Sequence, residues 1–214
     1  MTIDEYFGDW YKIIPIKELK EALSKINTEI CPERNKVFRA FKECPYDKAK
    51  VILTAQDPYP QKGIANGLAF GNDNEPLSPS LEVIKEACID YTIPHYGLKF
   101  DNTLESWAKQ GVLLLNSALT CEINKPGSHT MIWRPFISRF LYNLSISTPG
   151  LVYVLLGSQA DSFRPYIMSN DIIKCTHPSY YARTKQKMPN IFKEINNILL
   201  NKTYEPIKWF AEFK

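Results

Sequence analysis

Short apolar runs at residues 51–54, 112–115, 151–156 and 172–176 stand out from the mixed background of the chain. Apolar runs of this length that do not alternate with polar residues are the pattern of strands buried on both faces. Elsewhere the apolar positions recur at three- and four-residue steps. Ile16, Leu19, Leu23, Ile26 and Ile30 predict an amphipathic helix over residues 17–29, and Val37, Phe38, Phe41 and Cys44 predict a second. Thr103 to Gln110 reads as a short helix closed by Gly111. Phe136, Phe140, Leu141 and Leu144 form a core-facing stripe within residues 135–147, and Ile191, Phe192, Ile195, Ile198 and Leu199 form another behind Pro189. Four strand-like runs separated by helical segments predict an α/β fold on a parallel sheet.

Such sheets bind ligands at the carboxyl ends of their strands. Asp57, Asn116, Ser158 and His177 each fall just beyond a predicted strand, so an acid, an amide, a hydroxyl and an imidazole are expected around one crevice. The first of these ends is unusual. In Gln56-Asp57-Pro58-Tyr59-Pro60 the two prolines remove two backbone donors and push Asp57 and Tyr59 out of the helical region. An acid is thereby held in a stiff loop, although an ordinary Asp-Pro turn would read the same way. Ser78-Pro79-Ser80 prepares a helix start, as a plain N-cap or as a seat for a phosphate.

Composition narrows the setting. The 214 residues suit one domain over 1–214, and 44% hydrophobic with 23% charged residues is ordinary for a soluble globule. A net charge of +3 permits an anionic partner without demanding one. The five cysteines are scattered and none forms a C-x-x-C pair, which predicts a reducing compartment and neither zinc nor an iron–sulfur cluster. The acidic start Met1-Thr2-Ile3-Asp4-Glu5 has no signal-peptide core, and no run approaches the ~18 apolar residues of a membrane span. The expected location is cytoplasmic, with no membrane partner and a monomeric state.

Gln56-Asp57-Pro58-Tyr59 followed by Gly67-Leu68-Ala69-Phe70 is similar to the water-activating motif of family 1 uracil-DNA glycosylases. LLLNSALT at residues 113–120 and His177-Pro178-Ser179 follow in the family's order, so the resemblance spans about residues 51–183. It implies a three-layer α/β/α fold with a central, mainly parallel four-stranded sheet. The implied reaction is hydrolysis of the bond between uracil and deoxyribose in single- and double-stranded DNA, leaving an abasic site for base-excision repair, with no metal and no cofactor. A protein inhibitor or replication partner is not specified.

The resemblance also assigns roles. Asp57 stabilises the cationic sugar and orients water, while a neutral His177 donates a hydrogen bond to uracil O2. Asn116 reads the O4 and N3–H edge, whose pattern cytosine reverses. Phe70 stacks on the base, Tyr59 occupies the space of a C5-methyl, and Gln56 contacts the base through its backbone. Ser78 and Ser80 pinch the DNA backbone, Ser158 and Ser179 add DNA contacts, and His129 plays a supporting part. Tyr181 stands where the family usually inserts a leucine from a loop into the vacated stack, and Arg183 and Lys185 are phosphate contacts or a plain surface charge pair. Pro60 replaces the histidine usual in cellular members, and Ala55 replaces a glycine. Pro60 and Tyr181 motivate an alternative: a DNA- or protein-binding module on the same fold with weak or lost activity.

Overall fold

In the computed structural model, which describes residues 6–74, 76–89 and 98–212, four strands build the central sheet. They are β1 (Val51–Ala55), β2 (Val112–Asn116), β3 (Val152–Leu156) and β4 (Ile172–Cys175). Their order is β2-β1-β3-β4, and every pairing is parallel. All residues of β1, β2 and β3 are buried, as strands covered on both faces must be, so the fold is a three-layer α/β/α arrangement. β4 lies at the edge and exposes Lys174, a charge that blunts further pairing.

The helices are α1 (Ile16–Ser24), α2 (Arg39–Glu43), α3 (Pro79–Ala87), α4 (Glu105–Lys109), α5 (Thr130–Ser147), α6 (Ser158–Asp161), α7 (Pro178–Thr184) and α8 (Ile191–Asn201). α1 packs on α5, α8 covers β3 and β4, and α2 and α4 sit against β2. α3 runs beside α7, which brings the serine-rich start of one helix close to the His-Pro-Ser start of the other.

Three predicted elements differ from the structure. The helix expected over residues 17–29 ends at Ser24, because Asn27 and Thr28 are poor helix formers and the chain turns there into a two-residue strand, Ile30–Cys31. Ile26 stays buried in that turn, so the apolar spacing outlasts the helix. α5 begins five residues before Pro135, which sits inside the helix instead of opening it. The segment after His177, expected as a loop, is helix α7, and Tyr181 therefore projects from a helix.

Candidate active site

Asp57 lies two residues beyond β1, and the parallel register sets Ala55 beside Asn116 at the end of β2. The loop that leaves β1 is tied down at once: the Gln56 carbonyl accepts the Ala118 N–H at 2.9 Å and the Ser117 hydroxyl at 2.8 Å. Burial pushes the Asp57 carboxyl above its ordinary value, opposed by the Gly127 N–H that donates to Oδ2 at 2.5 Å. A half-buried carboxylate with one backbone donor is, once ionised, a localised negative charge facing the slot.

Across from it stands His177, the N-cap of α7. Its Nδ1 accepts the Ser179 N–H at 3.2 Å and lies 2.9 Å from Ser179 Oγ. An accepting Nδ1 leaves the ring proton on Nε2. Burial lowers the imidazole's affinity for a second proton, and the nearby Arg183 guanidinium lowers it further. The ring is thus a neutral Nε2–H donor at pH 7. Its seat is cut by Gly157, at φ +91°, where a Cβ would meet His177 Cβ at 2.9 Å.

The Phe70 ring lies 5.4 Å from the His177 ring at a 45° tilt. Phe70 itself adopts a left-handed backbone, φ +64°, which costs a non-glycine residue stability and persists only where the surroundings enforce it. Tyr59 is part of that enforcement: its hydroxyl donates to the Phe70 carbonyl at 2.9 Å and lies 2.6 Å from Ser78 Oγ, which in turn accepts the Leu81 N–H at the start of α3. One tyrosine therefore couples the Asp57 loop, the Phe70 turn and the α3 cap.

Gln56, Asp57, Tyr59, Phe70, Ser80 and His177, with Ser179, line a common slot of about 240 Å³. A wider cleft of about 620 Å³ shares Gln56, His177 and Ser179 and adds Ser158, Tyr180 and Arg183. Ser78 stands behind the slot on Tyr59. Asn116 is 6% exposed at the neighbouring strand end and does not line the slot, yet its Oδ1 is buried without a partner. An unpaired buried amide oxygen costs ~1–3 kcal/mol, a debt that a ligand donor would remove. Tyr181 lines neither cleft; it packs against the core with its hydroxyl 3.6 Å from Cys175 Sγ, whereas Tyr180 is the more exposed of the two.

Two contributors escape sequence reasoning. Gly127 looks like an ordinary Pro-Gly turn, and only the fold reveals its N–H on Asp57. Gly157 looks like a strand terminator, and only the packing reveals the imidazole against it. His129, 3% exposed, is locked by Thr120, whose hydroxyl lies 2.8 Å from Nδ1 in a hydrogen bond and accepts the Trp133 indole N–H at 2.7 Å. Among the described residues no cluster of His, Cys, Asp and Glu could hold a metal ion, and no helix is long and apolar enough to cross a membrane.

Residues 41–200 match the family model of the uracil DNA glycosylase superfamily. The uracil-DNA glycosylase of Campylobacter jejuni strain 81-176 is 38% identical over 198 residues, which is 89% of this chain and 84% of the relative. That of Coxiella burnetii strain CbuG_Q212 is 41% identical over 193 residues, 86% of this chain and 82% of the relative. The crystal structure of mimivirus uracil-DNA glycosylase superposes with a TM-score of 0.78 at 26% identity, covering 98% of this chain and 87% of that one. With a family model matched from α2 to α8 and relatives this similar along most of both lengths, the chain belongs to the uracil-DNA glycosylase superfamily.

Proposed function

We propose that this uracil-DNA glycosylase is of the family 1 type, with its Asp-Pro-Tyr-Pro segment as the water-activating motif, and that residues 1–214 work as one domain on single- and double-stranded DNA. The reaction hydrolyses the N-glycosidic bond of deoxyuridine. As that bond lengthens the sugar gains oxocarbenium character and the base gains negative charge. Asp57 serves the first charge by Coulomb attraction and orients the water that adds to C1′. His177 serves the second through its Nε2–H, aimed at uracil O2 as charge collects there. A neutral donor suffices because the departing base leaves as a stabilised anion.

Phe70 stacks on the extruded base, and Tyr59 limits the space beside its C5. Asn116 supplies an acceptor for N3–H and a donor for O4 once the base has entered, which is consistent with an Oδ1 that has no protein partner. Ser78, Ser80, Ser158 and Ser179 are proposed DNA contacts at the slot's rim, with Tyr181 or its neighbour Tyr180 entering the vacated stack.

The observation that carries this reading is the meeting of a half-buried carboxylate, an Nε2–H imidazole and the Phe70 ring on one slot. The test is uracil release, in the absence of metal, from DNA bearing one uracil. Wild type is expected to leave abasic sites. Asp57→Asn should slow single-turnover release by about 10²–10⁴-fold, and His177→Ala by about 10²–10³-fold, with both proteins folded. Wild-type rates in either variant would remove that residue from the mechanism.

A further inference from the structure

The acidic wall of the slot is the loop Asp57-Pro58-Tyr59-Pro60, and its two prolines leave it short of donors with which to hold itself. Its carbonyls are held from outside. Two short strands, Ile30–Cys31 and Cys121–Glu122, pair antiparallel with Cys31 directly opposite Cys121. Cys31 Sγ donates to the Pro60 carbonyl at 3.3 Å, and Cys121 Sγ donates to the Pro58 carbonyl at 3.6 Å. The Asn124 N–H joins at the Pro60 carbonyl, 2.8 Å away. Gly127, a few residues further along the same segment, donates to the Asp57 carboxylate. One ribbon therefore grips both the backbone of this loop and its acid.

Both thiols are buried and free. Burial raises the Cys31 thiol and pushes Cys121 up to about 12, with the Asp57 carboxylate adding to the effect at Cys121. Each sulfur thus keeps its proton at pH 7 and remains a donor. Thiols are weak donors, yet a buried carbonyl deprived of its partner is costly, and that cost falls on Pro58 if Cys121 is lost, whereas the Pro60 carbonyl loses one of two donors with Cys31 and keeps the Asn124 N–H; the two carbonyls flank Tyr59. A small rotation of this loop would carry Asp57 away from the sugar.

We propose that Cys31 and Cys121, facing each other across the ribbon, are positioning residues that hold the Asp57 loop in its reactive geometry through the Pro60 and Pro58 carbonyls. The proposal rests on Asp57 being the carboxylate that serves the sugar cation. Substitution is expected to act on the chemical step and not on DNA binding.

The test is single-turnover uracil release by Cys31→Ala, Cys121→Ala and the double variant, each also made as serine and each repeated in the Asp57→Asn background. Cys121→Ala should slow release about threefold to tenfold, well short of the ~100-fold that a 1 Å misplacement can cost, and Cys31→Ala should slow it less, because the Asn124 N–H still holds the Pro60 carbonyl. KM should stay within about twofold, and serine, which keeps an O–H donor, should restore most of the rate. In Asp57→Asn the same changes should have no further effect, because the group they position is gone. Wild-type rates in both single alanine variants, an equal loss in the Asp57→Asn background, or a loss confined to KM would overturn the proposal. The single variants decide the matter if the double one fails to fold. An Asp57→Asn enzyme with undiminished activity would instead overturn the parent reading of Asp57, a result distinct from silent cysteines in an enzyme that depends on Asp57.

Discussion

Asp57 illustrates how a site residue opposes the stability of its own fold. Burial lifts its carboxyl above the ordinary value of 3.8, so the folded state holds the Asp57 proton more tightly than the unfolded chain does. That favourable contribution is complete below about pH 3.8 and disappears as pH rises through the raised folded value, so at neutral pH the ionised carboxylate costs stability. Asp57→Asn removes the charge while its amide oxygen can still accept the Gly127 N–H. We expect a higher melting temperature for this variant than for wild type at pH 7, with the gap closing as both are titrated toward pH 4. Melting curves across that range check it; a variant less stable at pH 7 would mean that the Gly127 contact outweighs the burial of charge. His177 has the opposite linkage, since its lowered value leaves stability intact above the ordinary 6.5 and withdraws it as pH falls through the folded value. Acid conditions thus weaken the histidine's seat while neutral conditions tax the aspartate's.

At the level of elements, the sheet was legible because fully buried strands must be apolar at every position, and the four predicted runs match β1 to β4 within a residue or so at each end. The strand ends were legible too, since Asp57, Asn116, Ser158 and His177 all lie at or just beyond the carboxyl edge. Periodicity could not show where α1 stops, because Ile26 is buried whether or not its backbone is helical. Nor could it show the groups that act through shape or backbone. Gly157 is the clearest case: its missing side chain is what admits the imidazole, and absence leaves no pattern in a hydropathy profile. Its positive φ already disfavours a side chain, and an added methyl would press on His177 Cβ. Gly157→Ala should therefore lower the single-turnover rate by about 10²-fold through displacement of the ring, the scale expected of a ~1 Å misplacement. Its KM should change much less. An unchanged rate in a folded Gly157→Ala protein would show that β3 and α7 can part without moving the imidazole out of line.

Over the whole molecule, 26 basic against 23 acidic residues leave only +3, so overall charge alone gives weak attraction to DNA and the contact must come from placement. Many cations are already engaged: Lys174 with Asp161 at 2.6 Å, Lys125 with Glu122 at 2.5 Å, Lys202 with Asp171 at 2.7 Å, and Arg39 with Glu43 and Glu105. Near the slot, α7 carries Arg183 in the wall of the wider cleft and is followed by its C-cap Lys185, which adopts a left-handed backbone and is exposed. A DNA face that draws on few cations predicts a shallow salt dependence. With about three, log K for a duplex should fall with log salt at a slope near −3, against roughly −10 for a protein that covers many phosphates. Lys185→Gln should flatten that slope by about 1 and weaken binding alike on every sequence. The single-turnover rate at saturating DNA should not change, because the charge lies outside the slot and counterion release is complete before the bond breaks. Binding isotherms at several salt concentrations, paired with saturated release assays, separate the two effects. An unaltered slope would place Lys185 away from the DNA path and leave Arg183 as the cation by which α7 meets the backbone.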